Sequence, residues 1–218
     1  MASLKDYLKR FWRFLWYDDS VASWIVTTAL AFILIKFVVY PGLGWLLGTP
    51  YPIVAVVSGS MEHNAPFDTW WAAEALCHER RCTQGEWYEE HTISKEQFKD
   101  FSFSNGFNTG DIIVLYGTKP KNINIGNVIV FQSTYKVEPI IHRVIQKTDV
   151  KDIQDIRFYT KGDNNKVAGD VDKEISEAQY LGKAWFRIPY LGWIKIGFVK
   201  LMDSVGITGL YEKIKEKR

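Results

Sequence analysis

Residues 108–118 read Asn108-Thr109-Gly110-Asp111-Ile112-Ile113-Val114-Leu115-Tyr116-Gly117-Thr118. Turn formers bracket a short run of β-branched, aliphatic and aromatic side chains. The run is too short for a helix and has the composition of a buried strand. The same punctuation recurs on both sides. Residues 53–57, 111–116, 128–131, 140–145, 157–160 and 184–188 are short and rich in such side chains, with Gly126-Asn127 and Gly162-Asp163-Asn164-Asn165 as turns between them. None of these windows sustains a helical period. Residues 41–193 therefore read as a mainly β domain.

Two segments depart from that pattern. Residues 62–109 form a long polar-aromatic stretch that holds both cysteines and three of the four histidines. Because long structureless loops are uncommon, it reads as an insertion with some helix of its own. In residues 194–218, Ile194, Phe198, Leu201, Met202 and Val205 fall on one helical face, which predicts a C-terminal amphipathic helix with a basic tail. Lys195, Lys200 and Asp203 interrupt the stretch. Each would cost about 2.5–3.5 kcal/mol in mid-bilayer, so a helix packed on the domain or lying in the interface fits better than a second span.

The strongest compositional signal lies near the N-terminus. Residues 20–35 carry no charge, and apolar character resumes through Phe37, Val38, Val39 and Tyr40. As one helix, residues 21–40 reach about 30 Å, the thickness of a bilayer's hydrocarbon core. Lys36 can snorkel to the headgroups, and Pro41-Gly42 is expected to stop the helix. A cleaved signal peptide would have a shorter apolar region ending in small residues, whereas this one ends in Phe-Val-Val-Tyr-Pro; an uncleaved anchor is the better reading. Lys5, Lys9, Arg10 and Arg13 precede the span, and after Lys36 the next basic residue is Arg80. Residues 1–20 are thus expected in the cytoplasm and the β domain outside, in a single-pass protein of the cell membrane.

Composition excludes several classes. The 218-residue chain has a net charge of +2 and no long basic run, so nucleic acid is not an expected partner. Two cysteines, Cys77 and Cys82, are too few for a disulfide scaffold and lack the paired spacing of structural zinc. Cys77, His78 and Cys82, with His63 and His91 nearby, are too irregular to favour a metal, and a local Cys77–Cys82 disulfide is favoured outside the cytoplasm. Phe67, Trp70, Trp71, Trp87 and Tyr88 could rest the insertion on the membrane or roof a cleft, or pack against the β domain.

The chemistry-bearing residues come in boxes. Val56-Val57-Ser58-Gly59-Ser60-Met61 ends a strand-like run with a glycine turn that can expose a hydroxyl, although serine needs a partner to accept its proton. Next come Asn105-Gly106-Phe107-Asn108-Thr109-Gly110-Asp111, then Ile140-Ile141-His142-Arg143-Val144, a histidine within an apolar strand. Thr160-Lys161-Gly162-Asp163-Asn164-Asn165 is a turn with a carboxylate at its tip. Serine, Gly-Asp, His-Arg and Gly-Asp-Asn boxes in this order, behind an N-terminal span, resemble the type I signal peptidases. The similarity runs in blocks to about Asn165 and continues weakly through Pro189-Tyr190-Leu191-Gly192. A histidine in the third box resembles the endoplasmic-reticulum and archaeal branch, whereas the bacterial branch carries lysine there. An imidazole titrates near neutrality without the burial that a lysine base requires.

The resemblance implies a serine endopeptidase that removes signal peptides, with no cofactor and no metal. Its implied nucleophile is Ser60, its general base His142, and its oxyanion donors the Ser60 N–H and the Ser58 hydroxyl. Asp163 is implied as the residue that orients His142 or stabilises its charged form. A second family aspartate corresponds best to Asp170, one position beyond the usual spacing, with Asp172 close by. Turn geometry and a surface ion pair account for Asp111 and Arg143. The implied partners are preproteins bearing signal peptides with an A-x-A-like end, the lipid membrane and the protein-translocation channel. The insertion departs from the family pattern, in which the serine and Gly-Asp boxes lie closer together. Competing readings are an inactive membrane-tethered β binding module and a redox or metal protein built on the insertion.

Overall fold

The computed structural model describes residues 3–134, 138–150, 155–194, 196, 197 and 201. The chain divides into two compact units, Met1–Leu46 and Leu47–Arg218. In the first, helix α1 (Leu4–Tyr17) begins at a reciprocal cap: the Ser3 hydroxyl accepts from the Lys5 amide, and Asp6 accepts from the Ser3 amide. Helix α2 (Val21–Leu34) starts after Asp18-Asp19-Ser20, with Ser20 Oγ accepting from the Ser23 amide. Ser23 Oγ donates to Phe14 O at 2.5 Å and Thr27 Oγ1 to Leu15 O at 3.4 Å, tying the two helices together.

The apolar helix does not stop at Pro41-Gly42. It passes through a π turn (Ile35–Val39) into α3 (Tyr40–Leu47), making Val21–Leu47 one helix of 27 residues, long and apolar enough to cross a membrane. Pro41 has no amide proton for the carbonyl four residues back. Just upstream the ladder widens, with Tyr40 N–H bonded to Ile35 O, and the helix absorbs the proline instead of ending.

The second unit is built on one antiparallel sheet of six strands: β1 (Ile53–Ala55), β4 (Ile112–Tyr116), β5 (Val128–Phe131), β6 (Ile140–Val150), β7 (Asp155–Lys161) and β8 (Tyr180–Ile188), in spatial order β1-β4-β8-β5-β6-β7. Strand β5 shows why the fold holds. Val128 and Val130 enter one apolar cluster with Ile113, Leu115, Phe107 and Met61, while Ile129 and Phe131 enter another with Ile123, Val144 and Phe158. Both faces of the sheet are covered, so β5 reads as a continuous apolar run rather than an alternating one.

The 62–109 segment does have structure of its own: α4 (Phe67–Trp71), a hairpin of β2 (Glu74–Cys77) and β3 (Arg80–Thr83), α5 (Gln84–Glu90) and α6 (Lys95–Lys99). Trp70, Trp71, Trp87 and Tyr88 are buried in its cluster together with Phe98 and with Ile145 of β6, so these rings are core. Cys77 and Cys82 are disulfide-bonded across the hairpin. Most of the expected C-terminal helix, including Phe198, Met202 and Val205, lies outside the described residues.

Candidate active site

Side chains alternate across a strand, so the adjacent residues His142 and Arg143 of β6 face opposite sides of the sheet. Their neighbours follow the same parity. Ile129 of β5 pairs with His142, and Thr160 of β7 with Val144, whereas Val128 and Lys161 both pair with Arg143. One face thus collects His142 and Thr160; the other collects Arg143 and Lys161.

On the first face, His142 Nε2 lies 3.1 Å from Ser60 Oγ, and His142 Nδ1 lies 2.5 Å from Asp172 Oδ1. A carboxylate only accepts, so Nδ1 carries the proton and Nε2 is left with the lone pair that faces the serine hydroxyl. Asp172 Oδ1 also accepts from Thr160 Oγ1 at 2.6 Å, and Oδ2 from the Gly169 amide at 2.9 Å. Burial works to raise the Asp172 carboxyl, but the bonds from His142, Thr160 and Gly169 hold it below the usual range. Ser58 Oγ lies 3.4 Å from Ser60 Oγ at the exposed side of the turn.

The serine turn is clamped from both sides. Val56 exchanges backbone bonds with the Gly110-Asp111 box, the Phe107 amide donates to Met61 O, and the Asn164 amide donates to Ser60 O at 2.8 Å. The Asn164 side chain reaches Gly59 O at 3.0 Å. Gly162 fits between base and nucleophile: a Cβ there would sit 2.8 Å from both His142 Nε2 and Ser60 O. Asp111 accepts from the Asn108 and Tyr190 amides, and the Gly192 amide donates to Gly110 O, so the Pro189-Tyr190-Leu191-Gly192 segment pins the Gly-Asp box.

No family model matches the chain. Among curated proteins, it is 29% identical over 214 residues to the rat signal peptidase complex catalytic subunit SEC11C, covering 94% of this chain and 85% of that one. The human SEC11C subunit is 29% identical over 189 residues (84% and 72% covered), and the Chaetomium globosum SEC11 subunit 25% over 185 (80% and 81%). The chain is a homologue of the endoplasmic-reticulum branch of type I signal peptidases.

For a signal peptidase homologue, the opposite face of the sheet is the surprise. Asp163, expected to orient His142, instead pairs with Arg143, whose Nε and Nη2 lie 2.9 and 2.6 Å from its two oxygens. Tyr88 OH donates to Oδ1, and His63 Nε2 lies 3.2 Å from Oδ2. Parity explains the switch: a residue following Lys161 on the Arg143 face meets the guanidinium, not the imidazole. Burial would raise the Asp163 carboxyl, yet Arg143 and His63 outweigh it and hold it well below the usual carboxylate range. Arg143 is fully buried and makes no surface pair; its remaining donors satisfy the carbonyls of Ser102, Phe103 and Gly126. Asp170, the other expected acid, is exposed and pairs with Lys173.

Sequence reasoning passed over Gln84 and gave neither Lys161 nor His63 a place behind the serine turn. Lys161 is fully buried, and its Nζ donates to Gln84 Oε1 (2.8 Å), Gly162 O (3.1 Å) and Asp163 O (3.3 Å), with the Trp87 and Tyr88 rings 4.9 and 5.0 Å away. Burial brings its pKa down to about 7 against the pull of Asp163 and Asp172. Gln84, Tyr88 and His63 all come from residues 62–109, so that segment completes the polar network behind the serine turn. His63 stacks on Trp70 at 3.6 Å, and its Nδ1 has no hydrogen-bond partner among the described residues. A lone Lys before Gly-Asp-Asn carries no local signal of burial; only the β6–β7 register reveals it.

Proposed function

We propose that this chain is a membrane-anchored serine endopeptidase that cleaves signal peptides from exported preproteins, with Ser60 as nucleophile, His142 as general base and Asp172 as the residue orienting the base. The observation that carries the reading is the continuous chain Ser60 Oγ, His142 Nε2, His142 Nδ1, Asp172 Oδ1, with separations of 3.1 and 2.5 Å at its two hydrogen bonds. The names of the SEC11 relatives support the substrate class.

In the mechanism, His142 Nε2 takes the hydroxyl proton as Ser60 Oγ bonds to the scissile carbonyl carbon. The carbonyl oxygen becomes an oxyanion, within reach of the Ser58 hydroxyl and the Ser60 N–H as the candidate donors; each such donor is typically worth about 3–4 kcal/mol. Collapse expels the amine of the mature protein, which receives the proton from Nε2. The signal peptide remains esterified to Ser60. Water, deprotonated by the same nitrogen, then releases it. Asp172 stabilises the imidazolium throughout and keeps the ring in one tautomer.

Two independent features support an extracytoplasmic site. Basic residues flank the N-terminal side of the apolar helix, and the β domain carries a disulfide, a bond that persists in oxidising compartments. The names of the relatives extend the proposed partners from preproteins, membrane and translocation channel to the subunits of a signal peptidase complex.

Detergent-solubilised full-length protein acting on a precursor tests the mechanism. Ser60→Ala and His142→Ala should each lose at least about a hundredfold in kcat/KM. Asp172→Asn should lose about 10⁴-fold, as when a buried triad aspartate becomes asparagine. Asp170→Asn should retain activity. Full activity in the Ser60 or His142 variant would end the Ser–His reading, and an inactive Asp170→Asn with an active Asp172→Asn would reverse the acid assignment.

A further inference from the structure

Helix α1 is not accounted for by the chemistry. Every described residue of it is exposed except Phe14 and Leu15, which are half-buried, yet its sides are sharply different. At 100° per residue, Leu4, Leu8, Phe11 and Leu15 project within a narrow sector, while Lys9, Arg10 and Arg13 project from the opposite half. Four cations stand against the single acid Asp6 in this helix. Leu8, Lys9, Trp12, Arg13 and Tyr17 line one hollow, in which two cations lie one turn apart beside two aromatic rings. Three residues separate α1 from the apolar helix, and Ser23 and Thr27 of α2 bond to its last carbonyls, so α1 is held where that helix begins.

We propose that α1 is an interfacial helix that docks on an anionic lipid surface at the N-terminal end of the apolar helix. Leu4, Leu8, Phe11 and Leu15 enter the acyl boundary, and Lys9 and Arg13 pair with headgroup phosphates around the hollow. The inference rests on the reading that Val21–Leu47 spans the bilayer. A helix with an apolar face and cations on its polar side is the form that binds such interfaces, and rings such as Trp12 and Tyr17 settle at headgroup depth. Anionic headgroups complement the charge excess; a zwitterionic surface would use only the apolar face.

Hydrogen exchange of the full-length protein in nanodiscs tests this, comparing phosphatidylcholine alone with phosphatidylcholine plus phosphatidylglycerol. The α1 amides should be protected in both lipids and exchange more slowly in the anionic one. Lys9→Gln/Arg13→Gln should remove that increment, about fivefold per cation and about thirtyfold for the pair, while leaving the phosphatidylcholine value unchanged. Leu8→Asp/Phe11→Asp should bring α1 close to unstructured exchange in both lipids. Protection of residues 21–47 is the internal control. If those amides exchange freely, the spanning reading fails; if they are protected while α1 exchanges freely, this proposal alone fails. Equal α1 protection in both lipids, unchanged in Lys9→Gln/Arg13→Gln, also overturns it. So does protection that depends on the number of chains per disc, which would assign the face to a second copy.

Discussion

At the scale of single residues, the site turns on two aspartates whose partners local sequence does not reveal. Asp163 sits in the more conspicuous box, yet its four acceptor positions are taken by Arg143, Tyr88 and His63. Asp172 sits in an unremarkable run, Gly-Asp-Val-Asp-Lys, and reaches His142 because Ile175 bridges to Phe158 and holds the segment along β7. The smallest residue of the site is as demanding as the charged ones. In Gly162→Ala the added methyl would meet the backbone oxygen of Ser60 and the ring nitrogen of His142, both at 2.8 Å. A shift of about 1 Å between reacting groups can cost about a hundredfold, so kcat/KM should fall by that order while the circular dichroism spectrum is retained. A Gly162→Ala enzyme with wild-type kcat/KM would show that the gap is slack.

At the scale of elements, β4, β5 and the start of β6 were legible in the sequence: β4 is an apolar run between Gly110 and Gly117, β5 is an apolar run that follows Gly126, and β6 opens on Ile140-Ile141. The hairpin β2–β3 was not, since Glu74-Ala75-Leu76-Cys77 and Arg80-Arg81-Cys82-Thr83 have neither the composition nor the alternation of a strand. What holds that hairpin is its disulfide and the aromatic cluster beneath it. Nor was the central place of β8 legible, because pairing with both β4 and β5 across so long a stretch of chain is a tertiary fact. The face on which Asp163 would lie could have been read once β6 and β7 were paired, but their register shifts between Val144 and Gln146, a bulge that no local motif announces. The disulfide closes a loop of sequence separation 5, and loop-closure entropy for so short a loop is about 2 kcal/mol. Cys77→Ser/Cys82→Ser should therefore lower the stability measured by urea unfolding by about 2 kcal/mol and still cleave precursor at low temperature. Retention of the full midpoint would mean that the aromatic cluster alone fixes the hairpin.

At the scale of the whole molecule, the buried charges behind the site make stability depend on pH. Asp163 and Asp172 have folded values below the unfolded value of about 3.9, so in acid the unfolded chain binds more protons than the folded one. Their contribution is complete above the unfolded value and is lost as pH falls through the folded values, with a slope of at most about 1.4 kcal/mol per pH unit for each group. Lys161 acts at the other end. Its folded value of about 7 lies below the unfolded value of about 10.4, so between these the unfolded chain keeps a proton that the folded one has shed, and stability rises with pH. Urea midpoints of the full-length protein in detergent should fall from pH 5 to pH 3 and climb from pH 7 to pH 9. Asp163→Asn should flatten the first limb and Lys161→Met the second; a flat wild-type profile would contradict both assignments.

The adjacency of His142 and Arg143 on β6 has a consequence for how this enzyme can be altered. On the proposed mechanism, proton transfer and scaffold are threaded on one strand at consecutive positions, so any change of register moves both at once. Inserting or deleting a single residue in β6 upstream of His142 would turn the imidazole inward and drive the guanidinium toward the cleft, abolishing turnover and the buried ion pair in one stroke.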